Sequence, residues 1–99
     1  MLLRERETER GLLVSVCDPD LVGETFEDGE ISLTVEASFY AGEDAVEADA
    51  DAVIDGLRRA SVANLVGEES VGVAVEAGII DEATVLEIGD TRHAQLLQI

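Results

Sequence analysis

Residues 2–8, "LLRERET", and 12–17, "LLVSVC", flank Glu9-Arg10-Gly11. A Gly-containing turn between two such runs predicts a β-hairpin. Side chains alternate faces along a strand, so Arg4 and Arg6 share one face of the first run while Glu5 and Glu7 share the other. Charge on both faces predicts an edge strand. The second run is continuously apolar and predicts a central strand. "DPDLVGETFEDGE", residues 18–30, holds the single Pro and two Gly and predicts a loop with room for one helical turn. "ISLTVEA" then sets Ile31, Leu33 and Val35 against Ser32, Thr34 and Glu36, the alternation of a half-buried strand. Carried into "ASFYAG", that parity buries Phe39 and leaves Tyr40 on the opposite, exposed face.

The period changes over residues 42–60, "GEDAVEADADAVIDGLRRA". Val46, Ala50, Val53, Ile54 and Leu57 fall on one stripe at helical spacing. Glu43 and Asp44 in the first turn and Arg58 and Arg59 in the last suit the helix dipole. "SVANLV" predicts a short buried strand. "EESVGVAVEAG" is ambiguous: acids at its start and Gly78 at its end favour a helix, while Gly72 weakens one. "ATVLEIG" and "AQLLQI" predict final strands. The pattern predicts an α+β fold: residues 1–99 as a single small domain, a mixed β-sheet with about two helices packed on one face.

Composition adds few constraints. A 99-residue chain that is 46% hydrophobic but 3% aromatic builds its core from Val, Leu, Ile and Ala. The formal charge is −17, and every basic side chain is Arg. Apolar residues run throughout, so the chain reads as a folded domain with a carboxylate-covered surface rather than a disordered acidic tail. Such a surface suits molar salt, where repulsion is screened within about 3 Å, and implies a halophilic cytoplasm. Acidity that is mere background excludes nucleic acid only weakly and supports no basic partner. A lone Cys rules out an internal disulfide and a Cys-rich zinc site. No run approaches the ~20 apolar residues of a membrane span, and "MLLRERETER" lacks a signal peptide's apolar stretch. Together these predict a soluble, cytoplasmic protein with no membrane role.

Four places carry candidate chemistry. Cys17, where a strand meets a loop, is either a nucleophile served by His93 as base or a small buried thiol. In "ANLVGEES", Gly67 and the following amides offer an anion site if a helix starts there, with Asn64 as a polar contact; Glu68 and Glu69 argue for a plain capped turn. Arg92 and His93 sit in a predicted loop, with Gln95 two residues on. One His without Asp or Glu partners makes no typical zinc site. The acids from Glu43 to Asp55 miss the EF-hand spacing, so no metal and no cofactor are implied.

"CDPDLVGETF", "SFYAG", "ANLVGEES" and "RHAQ", in that order, give a chain that resembles the archaeal domain-of-unknown-function family four hundred and twenty-four, as a haloarchaeal-type member. The resemblance implies a small standalone α+β protein with no established reaction and a suspected link to RNA or translation. The positions carrying it are Cys17, Asp18, Leu21, Gly23, Phe26, Phe39, Tyr40, Gly42, Asn64, Gly67, His93, Ala94 and Gln95. Position 24 departs: relatives often carry a basic residue where this chain has Glu24.

The leading expectation is a non-enzymatic binding module acting on RNA or a ribonucleoprotein. Tyr40 would stack on a base, worth roughly 1–3 kcal/mol. Asn64, His93 and Gln95 would make polar contacts, and the Gly67 amides and Arg92 would meet phosphate. The alternatives are a small enzyme with Cys17 as nucleophile, His93 as base and the Asn64–Gly67 turn as oxyanion site, or a protein-interaction subunit marked by an exposed apolar patch. Nothing in the sequence fixes an oligomeric state.

Overall fold

The computed structural model describes residues 1–98, so the last position of the "AQLLQI" strand lies outside the described residues. Strands β1 (Leu2–Thr8) and β2 (Gly11–Cys17) form the expected antiparallel hairpin, with Leu2 opposite Cys17 and Thr8 opposite Gly11. Gly11 takes φ 109°, a left-handed value that favours glycine. Strand β2 is central, as its apolar run predicts: β6 (Val62–Val66) lies parallel on its other side. Beyond β6 come β8 (Thr91–Leu97) and β7 (Leu86–Ile88), and β5 (Val46–Glu47) pairs outside β1. The six-stranded mixed sheet has the order β5-β1-β2-β6-β8-β7.

Helices α2 (Ala50–Arg59) and α3 (Glu68–Glu76) cover one face. Val53, Leu57, Val71 and Ala74 pack there on Leu3, Val14, Val16, Ala63, Leu65 and Ala94 to form the main core. The ambiguous segment is thus helical, and Gly67 precedes it with φ 115°. The long helix predicted over 42–60 is corrected to ten residues. Asp49 caps it, its carboxylate accepting from the Ala52 amide at 2.9 Å, and the preceding chain runs extended as β5. Val46 therefore leaves the predicted stripe and lies exposed on the sheet edge.

The other face is covered only at one end. Two strands, β3 (Thr25–Asp28) and β4 (Ile31–Thr34), form a separate hairpin that packs near β7, and α1 (Ala37–Tyr40) packs on β1 and β2. The expected loop 18–30 thus contains a strand. Its signal was Asp28-Gly29-Glu30: Gly29, with φ 63°, opens a two-residue turn of the kind that joins hairpins. Beneath this flap Cys17, Val35, Tyr40 and Val66 make a second small core, joined by the half-buried Leu2, Leu21, Val22, Phe26, Leu33 and Phe39. The architecture is a small α+β domain with two helices on one sheet face and a partial flap on the other.

Candidate functional site

Register shows which side chains share a face, because residues directly opposite in a sheet point the same way. On the flap side three rows cross the sheet. The first, Leu2–Cys17–Val66–His93–Leu86, runs under or beside the flap. The second is Arg4–Ser15–Asn64–Gln95, and the third is Arg6–Leu13–Val62–Leu97.

The first row removes the proposed catalytic pair. Cys17 is fully buried. Burial foremost, and the Asp18 charge second, push its thiol up to about 11, so the thiolate a nucleophile needs is suppressed at neutral pH. The fully buried Val66 side chain stands between Cys17 and His93. His93 is half-buried, with Nδ1 2.9 Å from the Leu65 carbonyl oxygen. The enzyme reading is corrected accordingly: Cys17 is a core thiol.

Tyr40 is corrected as well. It is 4% exposed, and its ring meets Phe39 edge-on at 4.9 Å between centroids. The strand parity fails because the chain turns helical at Ala37. In a helix successive side chains rotate by about 100° rather than alternating, so Tyr40 points inward and Phe39 lies half-buried at the margin. Burial, then proximity to Cys17, raises the phenol to about 12. A ring so placed offers no base-stacking face. The Arg4 guanidinium fastens α1 in position: Nη1 donates to the Ser38 and Phe39 carbonyls at 2.7 and 2.9 Å, and Nε donates to Asp44 at 2.7 Å. That hydrogen bond holds the Asp44 carboxyl below its ordinary pKa. Gly42 leaves room for the guanidinium, since a Cβ there would lie 3.0 Å from Arg4 Cζ.

The anion site expected after Gly67 is already filled by the chain itself. The Asp18 carboxylate accepts from the Glu69 amide at 3.1 Å, the Ser70 amide at 2.9 Å and the Ser70 hydroxyl at 2.7 Å. It caps α3 from 51 and 52 residues away in sequence, satisfying amides that a helix start leaves unpaired. The Gly67 amide donates to the Arg92 carbonyl at 2.9 Å, and a Cβ on Gly67 would collide with the Asp18 carboxylate. The Gly67, Glu69 and Ser70 amides are thus engaged within the chain. Arg92 is engaged too: Nη2 donates to both oxygens of Glu82 at 2.7 Å, on the sheet face opposite His93. Glu24 is exposed in the turn before β3 and makes no ion pair among the described residues. No group of three His, Cys, Asp or Glu side chains converges as a metal ligand set among the described residues, and no described helix is long and apolar enough to cross a membrane.

Most of the positions that carry the family resemblance are therefore structural. Cys17, Leu21, Phe26, Phe39 and Tyr40 build the second core, Asp18 and Gly67 build the cap, and Gly42 admits Arg4. Asn64 and Gln95 are different. They lie opposite each other on β6 and β8 in the second row, where Gln95 Nε2 donates to Asn64 Oδ1 at 2.9 Å. Gln95 is exposed and Asn64 half-buried, and neither contributes to a core. Beside them lies the third row, with Leu13 and Val62 half-buried and Leu97 73% exposed. No reading of the sequence singled out Leu13, Val62 or Leu97. Alternation placed each on a face, but only the pairing register lines them up.

The crystal structure of an uncharacterized conserved protein from Methanopyrus kandleri is similar to this chain, with 26% identity, a TM-score of 0.74, and coverage of 99% of this chain and 93% of that one. No curated protein matches. The family model that matches is described as protein of unknown function and spans residues 5–99. The match assigns the family and no haloarchaeal subgroup within it. On that match the chain belongs to the family described as protein of unknown function (DUF424).

Proposed function

We propose that the protein is a non-enzymatic binding module that docks a protein partner on the open part of its sheet. The observation that carries this reading is the juxtaposition of an apolar row, Leu13–Val62–Leu97, with the Asn64–Gln95 amide pair on one uncovered face. Apolar side chains beside amide donors and acceptors match the composition of a protein interface, whose core is apolar and whose specificity comes from a few hydrogen bonds. Arg6, exposed at the end of the apolar row, makes no ion pair among the described residues and adds a donor. Direct RNA contact is the weaker reading, because stacking needs an accessible ring and Tyr40 is buried. A ribonucleoprotein partner, suggested by the family resemblance, enters this reading through its protein component. The −17 charge fits work at molar salt, where repulsion within the surface is screened.

The test is recovery of partners on tagged protein from native high-salt lysate, with and without ribonuclease. We expect ribonuclease-resistant recovery of a protein that Val62→Asp and Asn64→Ala each abolish while the variants keep the wild-type circular dichroism. Recovery that ribonuclease removes, or that both variants retain, would overturn the reading.

A further inference from the structure

The hydrogen-bond register of β8 shows where its backbone is left without a neighbour. The Gly67 amide donates to the Arg92 carbonyl, and the Gln98 amide donates to the Ser61 carbonyl. In an antiparallel pair, residues alternate between bonding to that neighbour and facing away from it. Arg92, Ala94, Leu96 and Gln98 therefore bond toward β6, while Thr91, His93, Gln95 and Leu97 present their N–H and C=O groups outward. Strand β7 covers only Thr91 to His93. The outward groups of Gln95 and Leu97 have no backbone partner among the described residues. They form two consecutive vacant rungs, in line with the end of β7.

The side chains around this gap specify what fits it. On the flap side stand Leu86 and Leu97, 53% and 73% exposed. On the helix side, at the break where β7 ends, Glu82, Val85, Glu87 and Arg92 line a recess of about 290 Å³. Arg92 is committed to Glu82, whereas Glu87 makes no ion pair among the described residues. An extended segment in line with β7 would meet apolar surface on one side and a free carboxylate on the other.

We infer that the edge of β8 at Gln95 and Leu97 accepts an extended segment of the partner by strand addition, with apolar side chains toward Leu86 and Leu97 and a basic side chain toward Glu87. This deepens the proposed docking of a protein and rests on it. Main-chain bonds supply affinity in such additions, and the alternating side chains supply selectivity.

The probe is a blocked peptide alternating Lys and Val over four repeats, with a Glu-Val peptide as control, titrated onto the full chain at low and at molar salt. Amide exchange by nuclear magnetic resonance is the readout. We expect the Lys-Val peptide to slow exchange at Gln95 and Leu97 specifically. Leu97→Pro removes an outward N–H without touching the β6 ladder, a place where proline is tolerated, and should weaken binding about tenfold, the value of one to two net hydrogen bonds. A peptide N-methylated at alternate residues should lose binding in the same way with the protein unaltered. Glu87→Gln should narrow the preference for the Lys-Val over the Glu-Val peptide. Binding that leaves Gln95 and Leu97 unprotected, or that tolerates N-methylation, would overturn strand addition. If such binding still responds to Val62→Asp, the docking face stands without it; absence of any binding overturns the assigned ligand chemistry while the lysate experiment tests the face separately.

Discussion

Replacing Asp18 by Ala probes the contact that closed the anion site. The substitution removes three hydrogen bonds at once, two to α3 amides and one to the Ser70 hydroxyl. Loss of a helix cap costs about 0.5–2 kcal/mol, and a hydrogen bond to a charged group is worth about 1.5–3 kcal/mol net. Asp18 is only half-buried, so water takes over part of what is lost. Ser70, by contrast, is fully buried, and its hydroxyl would be left without its partner. We expect a loss of about 2–3 kcal/mol, and a fall in Tm of about 10–20 °C for a domain of this length. Asp18→Asn keeps an acceptor and should cost less. Urea unfolding followed by circular dichroism gives the value, with the exposed Asp20→Ala as control. A loss below about 0.5 kcal/mol, or one equal to the control's, would refute the claim that this carboxylate holds the start of α3.

The two buried ionisable groups predict alkaline sensitivity. Cys17 and Tyr40 have folded pKa values raised to about 11 and about 12 from 9.0 and 10.0, so the unfolded chain releases these protons first. Their contribution to stability is full below pH 9.0 and is lost as pH rises through about 11 and then about 12; Cys17→Ala should move the alkaline onset up toward pH 10.0, and an unchanged onset would contradict it. Native Cys17 should resist a thiol reagent at pH 8 until the chain unfolds, and rapid labelling would contradict its burial. Tyr40→Ala should cost about 3–5 kcal/mol, as for other buried aromatics, whereas Tyr40→Phe keeps the buried ring and should cost far less; equal effects would refute the packing role. Of 23 carboxylates none is buried, so Tm should rise steadily with added potassium chloride, and a flat response would contradict a surface limited by its own repulsion.

Much of the fold was legible where local and tertiary signals agree. The β1–β2 hairpin follows from two apolar runs around Gly11, and the start of α3 follows from Gly67 with the acids after it. Failures came where one signal stood for another. Val46 matched the helical stripe, but Asp49 caps the helix after it and β1 supplies an edge for pairing. Phe39 and Tyr40 exchange places because the strand period stops before the helical turn at Ala37–Tyr40. Candidate chemistry was least legible for a physical reason: Asp18 lies far in sequence from the amides it caps, and nothing near "CDPD" or "GEES" says that they meet. Asn64 and Gln95 were legible as polar positions on strands, but their opposition is a matter of register, which one-residue shifts would reverse.

Docking on the open face is tested by site-specific photocrosslinking in native lysate, with the crosslinking side chain placed once at Val62 on the open face and once at Val73 on the helix side. We expect a discrete protein adduct from position 62, resistant to ribonuclease, and none from position 73. An adduct with RNA at position 62, or equal protein adducts from both positions, would contradict it.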